Sequence, residues 1–527
     1  MYTRYSPGED LTGFDFIVVG SGIGGLTTAI FLSKAGKKVL VLESHYVPGG
    51  FSQTFKRRSG FVWDVGVHYV GNMDKEKSFL RKIFNYLTDG KLNWEFMGDI
   101  YDVVNIGGDQ FSFVAGKDKL REKLIGEFPG EKRAIEIYFN KIGRAARYSA
   151  MFFVQKSFPW ILEKTLGKIF ELLFNRYASK TTQQVIRSIT QNEKLAGILC
   201  SQCGNYGLPP GESSFAAHAI VINHFLNGGY YPVGGSQEIY KTLLDTLFKH
   251  GGKIRIKAKV DEIVLKKGKV DGVRLGNQFI PCKNVISNAG INNTFQNLIP
   301  GSRNETTSVK VHQSTAHLCL YLGLDQSDAE LKLPRHNIWF YKNYDFDALK
   351  KSLEFNTDRD LEFAYISFPS SKDPSWSARH PSKATIQAIG PAKYEWFKKF
   401  ENNNWMKRGA EYEALKAEFR NKMLKRLYQL VPQIRGHVVH AEVSSPLSTR
   451  HFTNYAQGEI YGLEHSPARF KLKSLKPKSS IQGLYLAGQD IVTVGVGGAL
   501  ASGLLCATQI LKFGMARQFR AIAASSF

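Results

Sequence analysis

The residues of this 527-residue chain best suited to chemistry stand near its start. Gly20-Ser21-Gly22-Ile23-Gly24-Gly25 has the G-x-G-x-x-G spacing, and Glu43 follows at about the 20-residue interval that completes a dinucleotide fingerprint. Such residues hold a pyrophosphate and a ribose. Gly20 permits the tight turn, Gly22 lets the backbone approach the anion, and Gly25 allows close helix–strand packing. The helix N-terminus offers free N–H groups and the positive end of its dipole. Glu43 accepts hydrogen bonds from ribose hydroxyls, and its charge disfavours a 2′-phosphate, so NADP is an unsuitable occupant whereas NAD and FAD both stay open. The elements that must position these groups are legible too. Phe14–Val19 is a continuous apolar strand of the kind buried on both faces. Ile23–Lys34 reads as a helix with Leu26, Ala29 and Ile30 on one face, and Lys38–Leu42 is a second strand.

Composition bounds the partners. Hydrophobic residues at 43% and charged residues at 22% fit a folded protein of two or three domains. Seventy Lys and Arg against 46 Asp and Glu leave a net charge of +24, which attracts polyanions. The chain has no zinc-ligand spacing, basic heptads or ribonucleoprotein signature, so we expect an anionic membrane surface rather than nucleic acid, and no metal site. Five scattered cysteines make no disulfide framework, and Cys200-x-x-Cys203 reads as buried thiols. Met1–Thr12 has no apolar signal core. The expected location is the cytoplasm, peripheral on a membrane, and not secreted.

Two segments bear on the membrane. Ile491–Leu511 carries no charge over about the 20 residues a bilayer span needs, but its glycines and alanines suit a helix pressed against a cofactor or another backbone. Ser157–Tyr177 reads as one helix with Ser157 as N-cap and Pro159 in its first turn. Lys164, Lys168, Glu171 and Asn175 form its polar stripe, and Trp160, Ile161, Leu162, Leu166, Ile169 and Leu172 belong to a broad apolar face. That pattern suits a helix lying in a membrane interface.

Pro48-Gly49-Gly50, the run Phe61–Tyr69 (F-V-W-D-V-G-V-H-Y) and Gly483–Asp490 (G-L-Y-L-A-G-Q-D) before the glycine-rich helix Gly495–Leu511 resemble the FAD-binding oxidoreductases of the amine oxidase and phytoene desaturase superfamily. Gly229–Ser236 (G-Y-Y-P-V-G-G-S) and Ser444–Thr449 are similar to its phytoene desaturase, carotenoid isomerase and retinol saturase branch. Asp64–Tyr69 and Gly488-Gln489-Asp490 are most similar to the retinol saturases. The resemblance covers about residues 14–511 in scattered blocks.

It implies FAD as cofactor and an α/β fold with an α+β substrate domain. A Rossmann-type FAD domain (1–73, 248–300 and 440–527) would be interleaved with the substrate domain (74–247 and 301–439). Gly49 and Gly50 would run along the flavin, Val260 would meet the adenine side through its backbone, and Asp490 would bond the ribityl or pyrophosphate region. The helix start Val496-Gly497-Gly498 would face the isoalloxazine. The implied activity is saturation of a C=C bond in a hydrophobic polyene of retinoid or carotenoid type, with desaturation or cis–trans isomerisation as alternatives on the same scaffold. A rival of another class is a non-enzymatic prenyl- or lipid-binding protein of the GDP-dissociation-inhibitor type. His68 and Tyr231 are the candidate proton donors, because the resemblance places both motifs near the cavity. There is no second dinucleotide unit, so the electron donor stays open.

Overall fold

A computed structural model of the chain describes residues 2–74, 78–301, 311–347 and 360–525. Its first sheet grows from the two apolar runs at the start. Phe16–Val19 and Val39–Leu42, buried throughout, pair in parallel from Phe16↔Val39 to Val19↔Leu42. Four more parallel strands complete the order Thr3–Arg4, Lys253–Ile256, Val39–Leu42, Phe16–Val19, Val285–Ser287, Leu484–Leu486. The helices Ile23–Lys34, Gln237–Lys249 and Gly495–Leu511 cover one face. The antiparallel ribbon Glu262–Lys266, Lys269–Leu275, Gln278–Pro281 covers the other. The alternation that suggests a strand over Lys253–Val260 is cut short at Ile256. Lys257 takes φ +53°, and Ala258 N then donates to Glu43 O at 2.8 Å, which turns the chain toward the dinucleotide end.

The second sheet has seven strands in the order Val438–Ser444, Ala316–Leu324, Ala384–Ala392, Phe363–Ser367, Asn337–Tyr341, Ile100–Ile106, Asp109–Val114. Val438–Ser444 crosses the division at residue 440 and belongs to this sheet. Side chains alternate across it. One face carries Leu318, Leu320, Ile338, Phe340 and Ile366 onto the helix Ala410–Leu430. The other carries Trp339, Tyr341 and Tyr365 toward the helices Lys132–Gln155 and Phe215–Phe225.

Two helical expectations meet the structure differently. The helical stretch Gly495–Ala524 is long and apolar enough to cross a membrane, yet its first part, Gly495–Leu511, packs along Ile23–Lys34. A methyl group at Gly503 would lie 2.5 Å from Gly24 O, so the two backbones touch there. The segment Ser157–Tyr177 is not one α-helix. It begins at Trp160 after Pro159, passes through a π-helical stretch at Glu163–Gly167, and continues as Lys168–Ala178. Ser157 caps nothing; its hydroxyl donates to Val154 O at 2.8 Å. Trp160 is 66% exposed and Leu172 74%, with Ile161, Leu166 and Ile169 exposed between them, whereas Phe174 and Tyr177 anchor the helix inward.

Candidate active site

A cavity of about 1330 Å³ runs between the two sheets, beyond the roughly 300–1,000 Å³ usual for a small-molecule site. One end is the glycine turn. Gly20 sits at φ +96°, and the helix Ile23–Lys34 starts at Gly22 with no side-chain cap, so its first N–H groups have no side-chain partner. The helix Gly495–Leu511 is likewise uncapped at Val494 and has no acid in its first turn. Two helix N-termini open on one cavity, an arrangement that suits an anionic group in an extended ligand. The turn at Gly49-Gly50 folds onto the first glycines, and a methyl group at Gly50 would stand 3.1 Å from Gly22 Cα.

Among the dinucleotide candidates, Gly20, Gly22, Gly24, Glu43, Gly49, Gly50, Val260, Asp490, Val496 and Gly497 line the cavity, whereas Ser21 and Gly25 do not. Gly25 is buried in the helix–strand packing, 2.3 Å from Gly20 O if it bore a methyl group. Ser21 is a brace: its N–H and hydroxyl both donate to Glu43 Oε2, at 2.8 and 2.6 Å, and its oxygen accepts from Gly49 N at 3.0 Å. Glu43 Oε1 accepts from His45 N at 2.8 Å. Asp490 lines the cavity, but its carboxylate accepts from two backbone groups, Ile291 N at 2.9 Å and Leu463 N at 2.8 Å. Its first work is to hold three segments together.

The other end is an aromatic chamber. Register places Trp339 opposite Tyr365 and Tyr365 opposite Ile389, so side chains from three strands form one row on the cavity wall. Tyr69 stacks on Phe225 with centroids 4.2 Å apart, and His68 meets Tyr365 edge-on at 5.4 Å. His68 lines the chamber, and burial, with Lys372 and His317 nearby, pushes its imidazole down to about 3. It is neutral at ordinary pH. Tyr231 is not brought to the cavity. It is buried behind the wall and donates to Asp64 Oδ2, while Asp64 Oδ1 accepts from Ser236 N at 3.0 Å. Its role in the structure is to fix the Pro-Val-Gly-Gly turn, not to face a ligand.

A model described as Flavin containing amine oxidoreductase matches residues 23–511. The chain belongs to the flavin-containing amine oxidoreductase family. As a member of that family it is an FAD-dependent oxidoreductase. It is 33% identical to the all-trans-retinol 13,14-reductase of Danio rerio, over 96% of this chain and 86% of the relative. It is 28% identical to prolycopene isomerase 1 of an Oncidium hybrid cultivar, over 95% of this chain and 84% of that one. Cyclohexylamine oxidase from Brevibacterium oxydans shares the fold with a TM-score of 0.61 at 13% identity, covering 96% of this chain and 99% of that one.

Several residues of this flavin-containing amine oxidoreductase escape sequence reasoning. Asn288, just past the strand Val285–Ser287, sits over the glycine turn. Its side chain lies within about 3 Å of where methyl groups on Gly22, Gly24 and Gly488 would stand. The only local sign is a polar residue ending a buried strand. His224 accepts from Gly71 N through Nε2 at 2.8 Å and lies beside Gly497, joining the His68 loop to the start of the glycine-rich helix. His317 lines the chamber with a buried Nδ1 that has no partner among the described residues.

Behind the chamber lies a buried charge network. Lys372 Nζ donates to Asn337 Oδ1, to Ser367 Oγ at 2.7 Å and to His68 O at 3.0 Å. Asp102 accepts from Asn337 Nδ2 at 2.9 Å, Gln202 Nε2 at 2.6 Å and Tyr69 OH at 3.0 Å. Burial pushes Asp102 up to about 6 and Lys372 down to about 7. Their hydrogen bonds match the charged forms, an acceptor-only carboxylate with three donors and an ammonium with three acceptors.

Proposed function

We propose that this FAD-dependent oxidoreductase saturates a C=C bond of a retinoid- or carotenoid-like polyene. The observation that carries the reading is the aromatic chamber continuous with the glycine turn: a long apolar ligand fits it, and its polar groups are few. The reductase relative supports saturation. Gly20, Gly22, Gly24, Gly49 and Gly50 would hold the pyrophosphate and the adjoining cofactor, with Glu43 at the ribose and Val496-Gly497 at the flavin end. When bound, FAD supplies the two-electron chemistry. The chain's own residues exclude water, stack the polyene between Tyr69, Trp339 and Tyr365, and control the proton. His68, held neutral, orients a water or offers a neutral N–H; it does not deliver a proton as imidazolium.

The substrate is expected to arrive from a membrane. The segment Glu163–Ala178, which carries much of the exposed apolar face, packs its other side on the helix Lys132–Gln155, whose Ser149, Ala150 and Phe153 line the cavity. The exposed apolar patch and the cavity therefore share one wall. Lys164 lies over the Trp160 ring at 4.2 Å, and the net charge of +24 favours anionic lipid. The exposed apolar patch and the basic charge support a peripheral place on a membrane, which we assign to the cytoplasmic side.

The test is anaerobic incubation of dithionite-reduced enzyme with all-trans-retinol, a carotenoid and an unsaturated fatty acid, with product masses read. A gain of two hydrogens on a polyene is expected. Unchanged mass with altered retention means isomerisation, and no product from either polyene overturns the reading.

A further inference from the structure

The helices Lys132–Gln155 and Lys168–Ala178 run antiparallel, with Phe152 stacked on Phe174 at 4.0 Å between centroids and Tyr148 against Tyr177 at 6.1 Å. One turn further on, the same pairing brings Lys141 and Arg144 of the first helix beside Arg176 and Lys180 at the end of the second. Arg144, Arg176 and Lys180 are exposed, and Lys141 is half-buried. Partial burial, and then the charges of Lys180, Arg176 and Arg144, hold the Lys141 ammonium below the usual lysine range. No acidic side chain among the described residues pairs with any of the four, whereas Lys123, Arg187 and Lys476 each hold a glutamate. Between Lys132 and Lys180 the chain has ten Lys and Arg against three Glu, a net +7 in under a tenth of its length. The C-terminal carbonyls of Lys168–Ala178 supply only about half a negative charge against the four positive ones. The cluster is therefore short of an anion.

It also continues the exposed apolar face. Ile169, Leu172 and Arg176 fall at i, i+3 and i+7 on one side of the helix, and Lys180 follows just past its end. Ile169 is 54% exposed and Leu172 74%. A surface that passes from hydrocarbon to cation within about 6 Å matches a lipid where its chains meet its phosphate. A soluble phosphate ester would leave Ile169 and Leu172 bare. We propose that Lys141, Arg144, Arg176 and Lys180 form a site for the phosphomonoester headgroup of an anionic membrane lipid, with Ile169 and Leu172 among its chains. A phosphomonoester carries a charge of about −1.5 to −2 near pH 7, and its oxygens take a guanidinium fork in two parallel bonds. A headgroup of single charge offsets the four cations less well. The proposal rests on the peripheral-membrane reading and deepens it by naming the lipid. Ala146 and Ala150, on the helix that bears Arg144, line the cavity, so a lipid held here lies against the cavity wall.

The experiment is co-sedimentation of the FAD-loaded protein with phosphatidylcholine vesicles that contain either phosphatidic acid or phosphatidylserine, matched in surface charge, at physiological salt. The phosphatidic acid vesicles should bind roughly 5- to 30-fold more tightly. Arg144→Gln with Arg176→Gln should erase that ratio. Lys132→Gln with Arg133→Gln removes the same charge at the far end of the helix and should leave the ratio alone. All four of these side chains are exposed, so melting midpoints should hold. Glycerol 3-phosphate, the same headgroup without chains, should not displace the protein from phosphatidic acid vesicles; displacement would assign the cluster to a soluble phosphate ester and overturn the lipid site. Equal binding to the charge-matched vesicles, a ratio that survives in the Arg144 and Arg176 variant, or one lost equally in the Lys132 and Arg133 variant also overturns the proposal. Binding to no vesicle at all overturns the peripheral-membrane reading beneath it.

Discussion

Gly22 and Gly25 lie three residues apart, and alanine at each should fail for a different reason. At Gly25 the new methyl group would meet Gly20 O at 2.3 Å, with Asn288 Cβ and Val18 Cγ1 at 3.2 Å. Ordinary contact begins near 3.4 Å, so the helix must move about 1 Å from its strand. Overpacking of this kind costs about 1–3 kcal/mol. Moving the helix start also displaces the N–H groups offered to the pyrophosphate, so FAD affinity should fall by roughly 5- to 150-fold if the whole cost is felt in binding. At Gly22 the nearest atom is Asn288 Nδ2 at 2.7 Å, the end of a side chain, with the next at 3.9 Å. That amide can swing aside, so Gly22→Ala should leave the apoprotein's melting midpoint nearly unchanged and still lower FAD affinity, because the methyl group points where the cofactor must approach. Titration of deflavinated protein with FAD, followed by absorbance, and melting of each apoprotein check both. A Gly25→Ala protein that binds FAD and melts like the parent, or a Gly22→Ala apoprotein destabilised as much as Gly25→Ala, would contradict this assignment.

Acid should unfold the protein through its buried histidines. Burial lowers His68 and His218 to about 3, and His224 and His317 to about 4, from an ordinary 6.5. Below pH 6.5 the unfolded chain binds protons that the folded one refuses, so stability present above 6.5 is lost progressively down to about pH 3–4; melting midpoints that stay flat from pH 7 to 5 would contradict this. Asp490→Asn should destabilise by about 1–3 kcal/mol, since an amide offers one acceptor to the two buried N–H groups of Ile291 and Leu463, and urea denaturation measures it. Replacing Ile169 and Leu172 with Glu should abolish co-sedimentation with anionic liposomes at low salt while the melting midpoint holds, because both side chains are exposed.

The start of the chain specified its own local structure. Within 30 residues the apolar runs, the glycine spacing and Glu43 define strand, turn, helix and strand, because every constraint there is a neighbour in sequence. The glycine-rich helix was equally legible, down to its preference for close packing. The Ser157–Tyr177 segment was legible in its apolar face but not in its π-helical break, which answers to packing against the end of Lys132–Gln155, where Gly167 lies against Gln155. Sequence places His68 ahead of Tyr231 as a proton donor only by resemblance; the bond of Tyr231 to Asp64, away from the cavity lining, is a tertiary fact.

The network at the cavity was decided by tertiary structure alone. Strand pairing sets Asp102 opposite Asn337 and Ser367 opposite Gln387, giving a polar row beside the row of Trp339, Tyr365 and Ile389. None of these polar residues is unusual where it stands in the sequence. The strands that carry them are separated by up to 285 residues, from Asp102 to Gln387. A hydrogen-bond direction exists only once donors and acceptors are in register, and register is fixed by the pairing of the whole sheet.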